Sequence, residues 1–239
     1  MAIDKNSNGF TFGFAIAMVV VVGALLSLAA MGLKPFQKSN IEREKMQNIL
    51  SAINIEVERD NAPEAFQQYV KEQVVLNQDG EIVEGDIKAF DVDIKKEYRE
   101  LKANVRASED MSYPLFVCEK EGATYYVIPL VGTGLWGPVW GFMSLESDYN
   151  TIFGASFDHK TETPGLGAEI NTAGFQAQFP GDKVYRDGEV AFDVMKGGGG
   201  KESEYGVDGI TGGTITSKGV GEMIQRTLAV YKTYFEAKK

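Results

Sequence analysis

The pattern of apolar and polar positions divides the chain into stretches of different period. Residues Phe10 to Leu33 carry no charge and read FTFGFAIAMVVVVGALLSLAAMGL. A helix needs ~20 apolar residues to cross a hydrocarbon core ~30 Å thick. The run therefore predicts a transmembrane helix over 10–33, behind a short tail over 1–9. Gly13, Gly23 and Gly32 would weaken a soluble helix, but membrane spans tolerate glycine. The competing reading is a cleaved signal peptide. Its apolar core would run to ~7–15 residues between a basic start and a small-residue cleavage site. Here the run is longer, Asp4 and Lys5 at its front nearly cancel, and Ala29–Ala30 is a weak cleavage candidate. A retained anchor is the expectation.

Beyond the span, Ile41, Met46, Ile49, Leu50 and Ile53 recur near helical spacing and predict a helix over 39–58. Phe66, Tyr69, Val70 and Val74 suggest a second helix, and Asn77-Gln78-Asp79-Gly80 a turn. The charges between Asp91 and Glu109 read as a solvated helix face. Residues 34–110 are thus expected to be a mostly helical, polar, membrane-proximal region. From Tyr113 the period changes. Tyr113–Cys118 and Thr124–Leu130 are rich in β-branched and aromatic residues, and Glu119-Lys120-Glu121-Gly122 between them predicts a hairpin. Val139–Leu145 and Thr151–Phe157 predict two more strands around a turn at Asp148–Asn150. Thr163–Gly167 is a loop, Ala173–Phe179 a short helix, Val190–Val194 a late strand, and Lys196–Gly200 a flexible link. Val220, Met223, Ile224, Thr227, Tyr231 and Tyr234 line one face of a terminal helix. Thr216 or Ser217 would cap it, and Gly219 and Gly221 would weaken its first turns. The fold class is α+β: one N-terminal transmembrane helix, then a domain over 111–239 with an antiparallel sheet and flanking helices.

Composition narrows the function classes. The 239 residues carry a formal net charge of −10, which argues against nucleic acid as a partner, since phosphate binding needs a basic footprint. One cysteine, Cys118, excludes an internal disulfide. With one histidine, His159, a zinc site is not expected, and both residues read as structural. No acid–base pair or nucleophilic triad is evident. No Gly-x-Gly-x-x-Gly fingerprint follows a strand, so NADH is not expected to bind this chain. Lys34, Lys38, Arg43 and Lys45 follow the span against Lys5 before it. The positive-inside rule places the large domain in the cytoplasm on that count, although long domains translocate largely regardless of charge.

The candidate chemistry lies just before the terminal helix, in Asp208-Gly209-Ile210-Thr211-Gly212-Gly213-Thr214-Ile215-Thr216-Ser217. Gly212 and Gly213 let a ligand approach the backbone. A helix start offers free N–H groups and a positive dipole end, and the threonines add hydroxyls. Those features suit a phosphate. They equally suit a Gly/Thr turn that only caps a helix.

The stretch Asp208–Thr214 resembles the flavinylation motif Asp-Gly-x-Ser/Thr-Gly-Ala-Thr of bacterial FMN-binding domains. In that family a flavin transferase joins flavin mononucleotide (FMN) to a threonine hydroxyl by a phosphoester bond. The resemblance puts the bond at Thr214 and matches Asp208 to the motif's first residue; Gly213 stands where alanine is usual. Gly132-Thr133-Gly134-Leu135-Trp136 resembles the family's Gly-x-Gly-Leu-Trp turn. Glu162-Thr163-Pro164-Gly165-Leu166-Gly167 resembles its Glu-Thr-Pro-Gly-Leu-Gly loop. Lys196-Gly197-Gly198 and Gly206-Val207-Asp208-Gly209 fit as well. With one span ahead of them, these motifs are similar to the C subunits of sodium-translocating NADH:quinone oxidoreductases, over essentially the whole chain.

That resemblance implies an electron-carrier subunit with covalent FMN in a six-subunit complex of the bacterial inner membrane. The partners would be the A, B, D, E and F subunits, the lipid bilayer, and a flavin transferase for maturation. The complex would oxidise NADH, reduce ubiquinone and export sodium, with the flavin domain in the periplasm, opposite to the charge count. Around Thr214 the implied cofactor-binding residues are Asp208, Thr211, Gly212 and Gly213. Glu162, Thr163, Pro164, Gly165 and Leu166 would lie against the ring or its phosphate, Leu135 and Trp136 over the ring, and Lys196 at the phosphate. The plainer readings are a rigid Pro-Gly loop, a core aromatic at Trp136 and a solvated Lys196, with Thr216 a competing hydroxyl. Two other functions stay open. One is the G-type flavin subunit of a ferredoxin:NAD electron-transport complex. The other is a membrane-anchored assembly module without a cofactor.

Overall fold

A computed structural model describes residues 7–238. Asp4, Lys5 and most of the tail over 1–9 lie outside the described residues. The chain divides into two compact units, 1–45 and 46–239. Helix α1 (Asn8–Ser51) carries the apolar run. A window of 18 residues in it has a mean hydropathy of 2.6 and no buried residue, so the helix is long and apolar enough to cross a membrane. Pro35 lies inside α1, so the span and the helix expected from residue 39 are one element. It stops short of Glu58, because Asn54 takes a φ of 55°, a left-handed conformation that asparagine tolerates but a helix does not.

The second unit is built on a five-stranded antiparallel sheet in simple meander order: β1 (Val70–Leu76), β2 (Tyr113–Lys120), β3 (Ala123–Thr133), β4 (Pro138–Leu145) and β5 (Ile152–His159). Successive side chains on a strand point to opposite faces. Val74, Leu115, Ile128, Leu130 and Met143 face one core; Val75, Phe116, Val127 and Phe142 face another. Helix α5 (Thr214–Glu236) covers the first face through Val220, Met223, Ile224, Leu228 and Tyr231. The second face is covered by Ile49, Leu50 and Ile53 and by α2 (Ala62–Tyr69), whose Phe66 meets Phe116 edge-on. A sheet covered on both sides needs near-continuous apolar strands, which is why β2 and β3 read as they do. The β2–β3 turn has Glu121 at φ 54° and Gly122 at φ 81°, the positive-φ pair that two-residue hairpin turns demand. Asp148 holds the β4–β5 turn by accepting from the N–H groups of Asn150 and Thr151, each at 2.8 Å.

Several expectations give way. The second helix ends at Tyr69; Val70 and Val74 belong to β1, with Val74 opposite Leu115. β-Branched residues favour a pleated surface, and here neighbouring valines fill both cores. From Met46 onward the residues belong to the unit that holds the sheet. Helix α3 (Ile94–Lys102) does present Lys95, Lys96 and Arg99 to solvent, and Asp93 caps it by accepting from the Lys96 N–H at 3.0 Å. The helix expected over 173–179 is the short α4 (Ala173–Gln176). The late strand is split: β6 (Tyr185–Arg186) pairs with β7 (Glu189–Val190), and β8 (Asp193–Met195) runs parallel to β9 (Gly206–Asp208).

Asp182, just before β6, is partly buried. Desolvation first, then the charge of Glu204, raises its carboxyl from 3.8 to about 6. The folded state thus holds this proton more tightly than the unfolded state. The stability it contributes is present below pH 3.8 and is lost as pH rises through about 6. Asp182→Asn is expected to raise the melting temperature at pH 7.5 and to leave it nearly unchanged at pH 4. Solvent screening keeps the gain below ~1 kcal/mol, or ~2–4 °C for a chain of this size. Melts at both pH values check it, and an equal gain at each would contradict the assignment.

Candidate flavin cleft

The start of α5 differs from the expected cap at Thr216 or Ser217. The helix begins at Thr214, with Gly213 at the N-cap and no capping side chain. Ser217 lies inside the first turns, where its Oγ accepts from the Ile210 N–H at 2.9 Å and its own N–H donates to Gly213 O. The N–H groups of Thr214, Ile215 and Thr216 have no protein acceptor among the described residues. Such groups carry the positive end of the helix dipole and are ready to bind an anion. Gly212 makes the turn into the helix at φ 79°, and a Cβ there would sit 2.6 Å from Leu166 Cδ2. Gly213, at the position where the resemblance expects alanine, has an ordinary φ of −99°. A methyl there would come 3.1 Å from Ile210 Cγ2 and 3.2 Å from Gly167 N, so its neighbours would have to give slightly.

Three segments meet at this helix start around a cleft of about 210 Å³. The β3–β4 turn supplies Leu135. The loop after β5 supplies Glu162, Thr163, Leu166 and Gly167, and the turn into α5 supplies Gly212 to Thr216. Leu135, Leu166 and Ile215 are exposed apolar side chains at its rim. The loop is held by its own bonds: Leu166 and Ala168 N–H donate to Thr163 O, each at 3.1 Å, and Gly165 N–H donates to Glu169 Oε1 at 2.9 Å.

Glu162 ties the three segments together. It is only 5% exposed. Its Oε1 accepts from the Trp136 N–H at 2.8 Å, and its Oε2 accepts from Thr216 Oγ1 at 2.6 Å. Its own N–H donates to His159 Nδ1 at 3.2 Å, so His159 has a partner that its sequence context does not reveal. Gly134 and Gly167 leave room for the carboxylate: a Cβ at either would press on a Glu162 oxygen. Among the described residues no lysine or arginine forms an ion pair with Glu162.

Of the residues singled out from the sequence, Leu135, Glu162, Thr163, Leu166, Gly212, Gly213 and Thr214 line the cleft, and Trp136, Pro164, Gly165, Thr211, Asp208 and Lys196 do not. Trp136 is 65% exposed, which removes the core-aromatic reading. Thr211 and Lys196 are solvent-exposed. Asp208 Oδ1 accepts from the Gly200 N–H at 2.7 Å, and Gln178 bonds both backbone groups of Asp208. Asp208 therefore braces the glycine-rich link rather than the cleft. The structure adds Gly167, Ile215 and Thr216 to the lining. Thr216 is buried, and its hydroxyl is committed to Glu162. Cys118 is buried, and desolvation pushes its thiol up to about 12.

The sheet, helix start, turn and loop converge on an anion-ready cleft, and residues 134–229 match the family described as an FMN-binding domain. The match contains every segment of the cleft. The chain belongs to the family of C subunits of Na+-translocating NADH-quinone reductases. It is 33% identical over 230 residues to the C subunit from Vibrio anguillarum, covering 92% of this chain and 90% of the relative. To the Haemophilus ducreyi C subunit it is 33% identical over 229 residues, covering 91% and 88%. The crystal structure of the corresponding C subunit from Parabacteroides distasonis superposes with a TM-score of 0.74 at 43% identity, over 84% of this chain and 96% of that one. The Shewanella oneidensis NqrC structure, with a TM-score of 0.69 at 23% identity over 82% of this chain and 97% of that one, shares the fold.

Proposed function

We propose that this chain carries FMN on Thr214 through a phosphoester bond and relays electrons within a Na+-translocating NADH-quinone reductase. The observation that carries the reading is the position of Thr214. It is the first residue of α5, in a cleft where it and the next two residues have N–H groups without a protein acceptor. Thr214 Oγ1 forms the ester in this reading. The three amides hold the phosphate, and Leu135, Leu166 and Ile215 shield the ring from water. FMN supplies the redox chemistry; the chain supplies position and electrostatics. Asp208 and Gly165 act on the site through the loops they brace, not by contact. Membership in the C-subunit family favours this machine over the ferredoxin:NAD one. The A, B, D, E and F subunits are then the partners, a flavin transferase matures the chain, and electron flow is coupled to sodium export.

The test is the full-length chain produced together with a flavin transferase. Its band on a denaturing gel should fluoresce, and its intact mass should carry one FMN. A dark band of unmodified mass would sink the proposal in favour of a cofactor-free assembly module. We also place the flavin domain on the periplasmic side of the inner membrane, against the charge count. Protease added to intact spheroplasts should then digest the domain, and protection would reverse the orientation.

A further inference from the structure

We infer that Glu162 is a positioning residue of the cleft and a fixed negative charge that holds the flavin's reduction potential down. The inference rests on the proposal that the flavin lies in this cleft. Glu162 is buried, yet it has no cation partner among the described residues. Both of its oxygens accept hydrogen bonds, from Trp136 N–H and from Thr216 Oγ1, the pattern of an ionised carboxylate. A charge buried without compensation is costly. Its compensation here is the N-terminal end of α5, because Thr216 is the third residue of that helix. The flavin phosphate would draw on the same helix end.

Two consequences separate. As a tie, Glu162 joins the Trp136 turn, its own loop and the helix start, segments far apart in sequence. As a charge, it lines the cleft itself. An electron added to a ring in that cleft meets a like charge at short range in a poorly screened site, and repulsion falls only as the inverse of distance. Reduction is opposed by that amount. Nothing about a merely structural tie would produce such an effect.

Glu162→Gln separates the two. Glutamine keeps the length; its oxygen accepts from Trp136 N–H and its amide donates to the Thr216 hydroxyl. Only the charge is lost. In the full-length flavinylated chain, followed by flavin absorbance during redox titration, the ratio of reduced to oxidised flavin at a fixed potential should rise about tenfold. For one electron that corresponds to ~59 mV. Thr216→Val removes the hydroxyl and keeps the charge, so it should lower the melting temperature, flavin-free or loaded, without raising the potential. Should Glu162→Gln fail to fold, Glu162→Met combined with Thr216→Val removes the charge together with its buried partner and should show the same rise. An unchanged potential in the neutral variant that folds would overturn the inference, as would an equal rise in Thr216→Val. A dark wild-type band is a different failure, that of the flavin reading itself.

Discussion

Replacing Thr214 by leucine is expected to remove flavin from the chain completely while leaving the fold intact. Leucine is a good helix former, and Thr214 makes no side-chain hydrogen bond among the described residues. What disappears is the hydroxyl. No neighbour can stand in for it. Thr216 Oγ1 is buried on Glu162, and Ser217 Oγ is held by the Ile210 N–H. Thr211 is exposed and lies outside the cleft lining. The denaturing-gel band should go dark and the intact mass should lose one FMN, whereas Thr214→Ser and Thr216→Val should keep both signals. A fluorescent Thr214→Leu band would move the attachment to another residue.

Tyr231→Ala should produce the largest loss of stability among single changes in α5. The side chain is fully buried, stacks beside Phe235 and meets Tyr113 edge-on, and its hydroxyl donates to Pro114 O at 2.7 Å. It therefore fixes α5 to β2 by both packing and a hydrogen bond. Removing a buried aromatic ring costs ~3–5 kcal/mol, which lowers the melting temperature by ~6–20 °C in a chain of this size. Tyr231→Phe keeps the ring and should lose only ~1 kcal/mol. Thermal melts of the two variants separate the contributions. A loss below ~1 kcal/mol for the alanine variant would contradict the burial of α5 against the sheet.

The long apolar N-terminal helix and strands β2 to β5 are legible because each displays its own pattern: a long uncharged run, then β-branched stretches broken by turn residues. Strand β1 is not, because Val74 and Val75 are buried on opposite faces and so show no alternation. Its partner, Val74 opposite Leu115, also lies far away in sequence. The helix start was misplaced because Thr216 and Ser217 have the chemistry of caps, yet their hydroxyls serve Glu162 and Ile210 instead. Residue chemistry alone leaves Thr214 between a phosphate site and a plain helix turn, and the order of motifs favours the first by resemblance. The Glu162–Thr216 bond spans 54 positions. A contact of that range leaves no local periodicity, so it became visible only in three dimensions. The partnership of His159 with the Glu162 N–H was hidden because it depends on how the chain turns after β5, which composition does not specify.

Helix α5 begins in the cleft at Thr214 and ends in the aromatic core at Tyr234 and Phe235. Its amides beyond the first turn should exchange with deuterium only when the whole domain opens. A group bonded to its first residue would therefore be mounted on a helix whose body is anchored in the core. It would not swing between a donor and an acceptor as a cargo on a flexible arm does. With FMN bonded at Thr214, as proposed, electrons would reach and leave it across gaps set by how partner subunits seat against the cleft, so tunnelling distance and not tether length would control the rate.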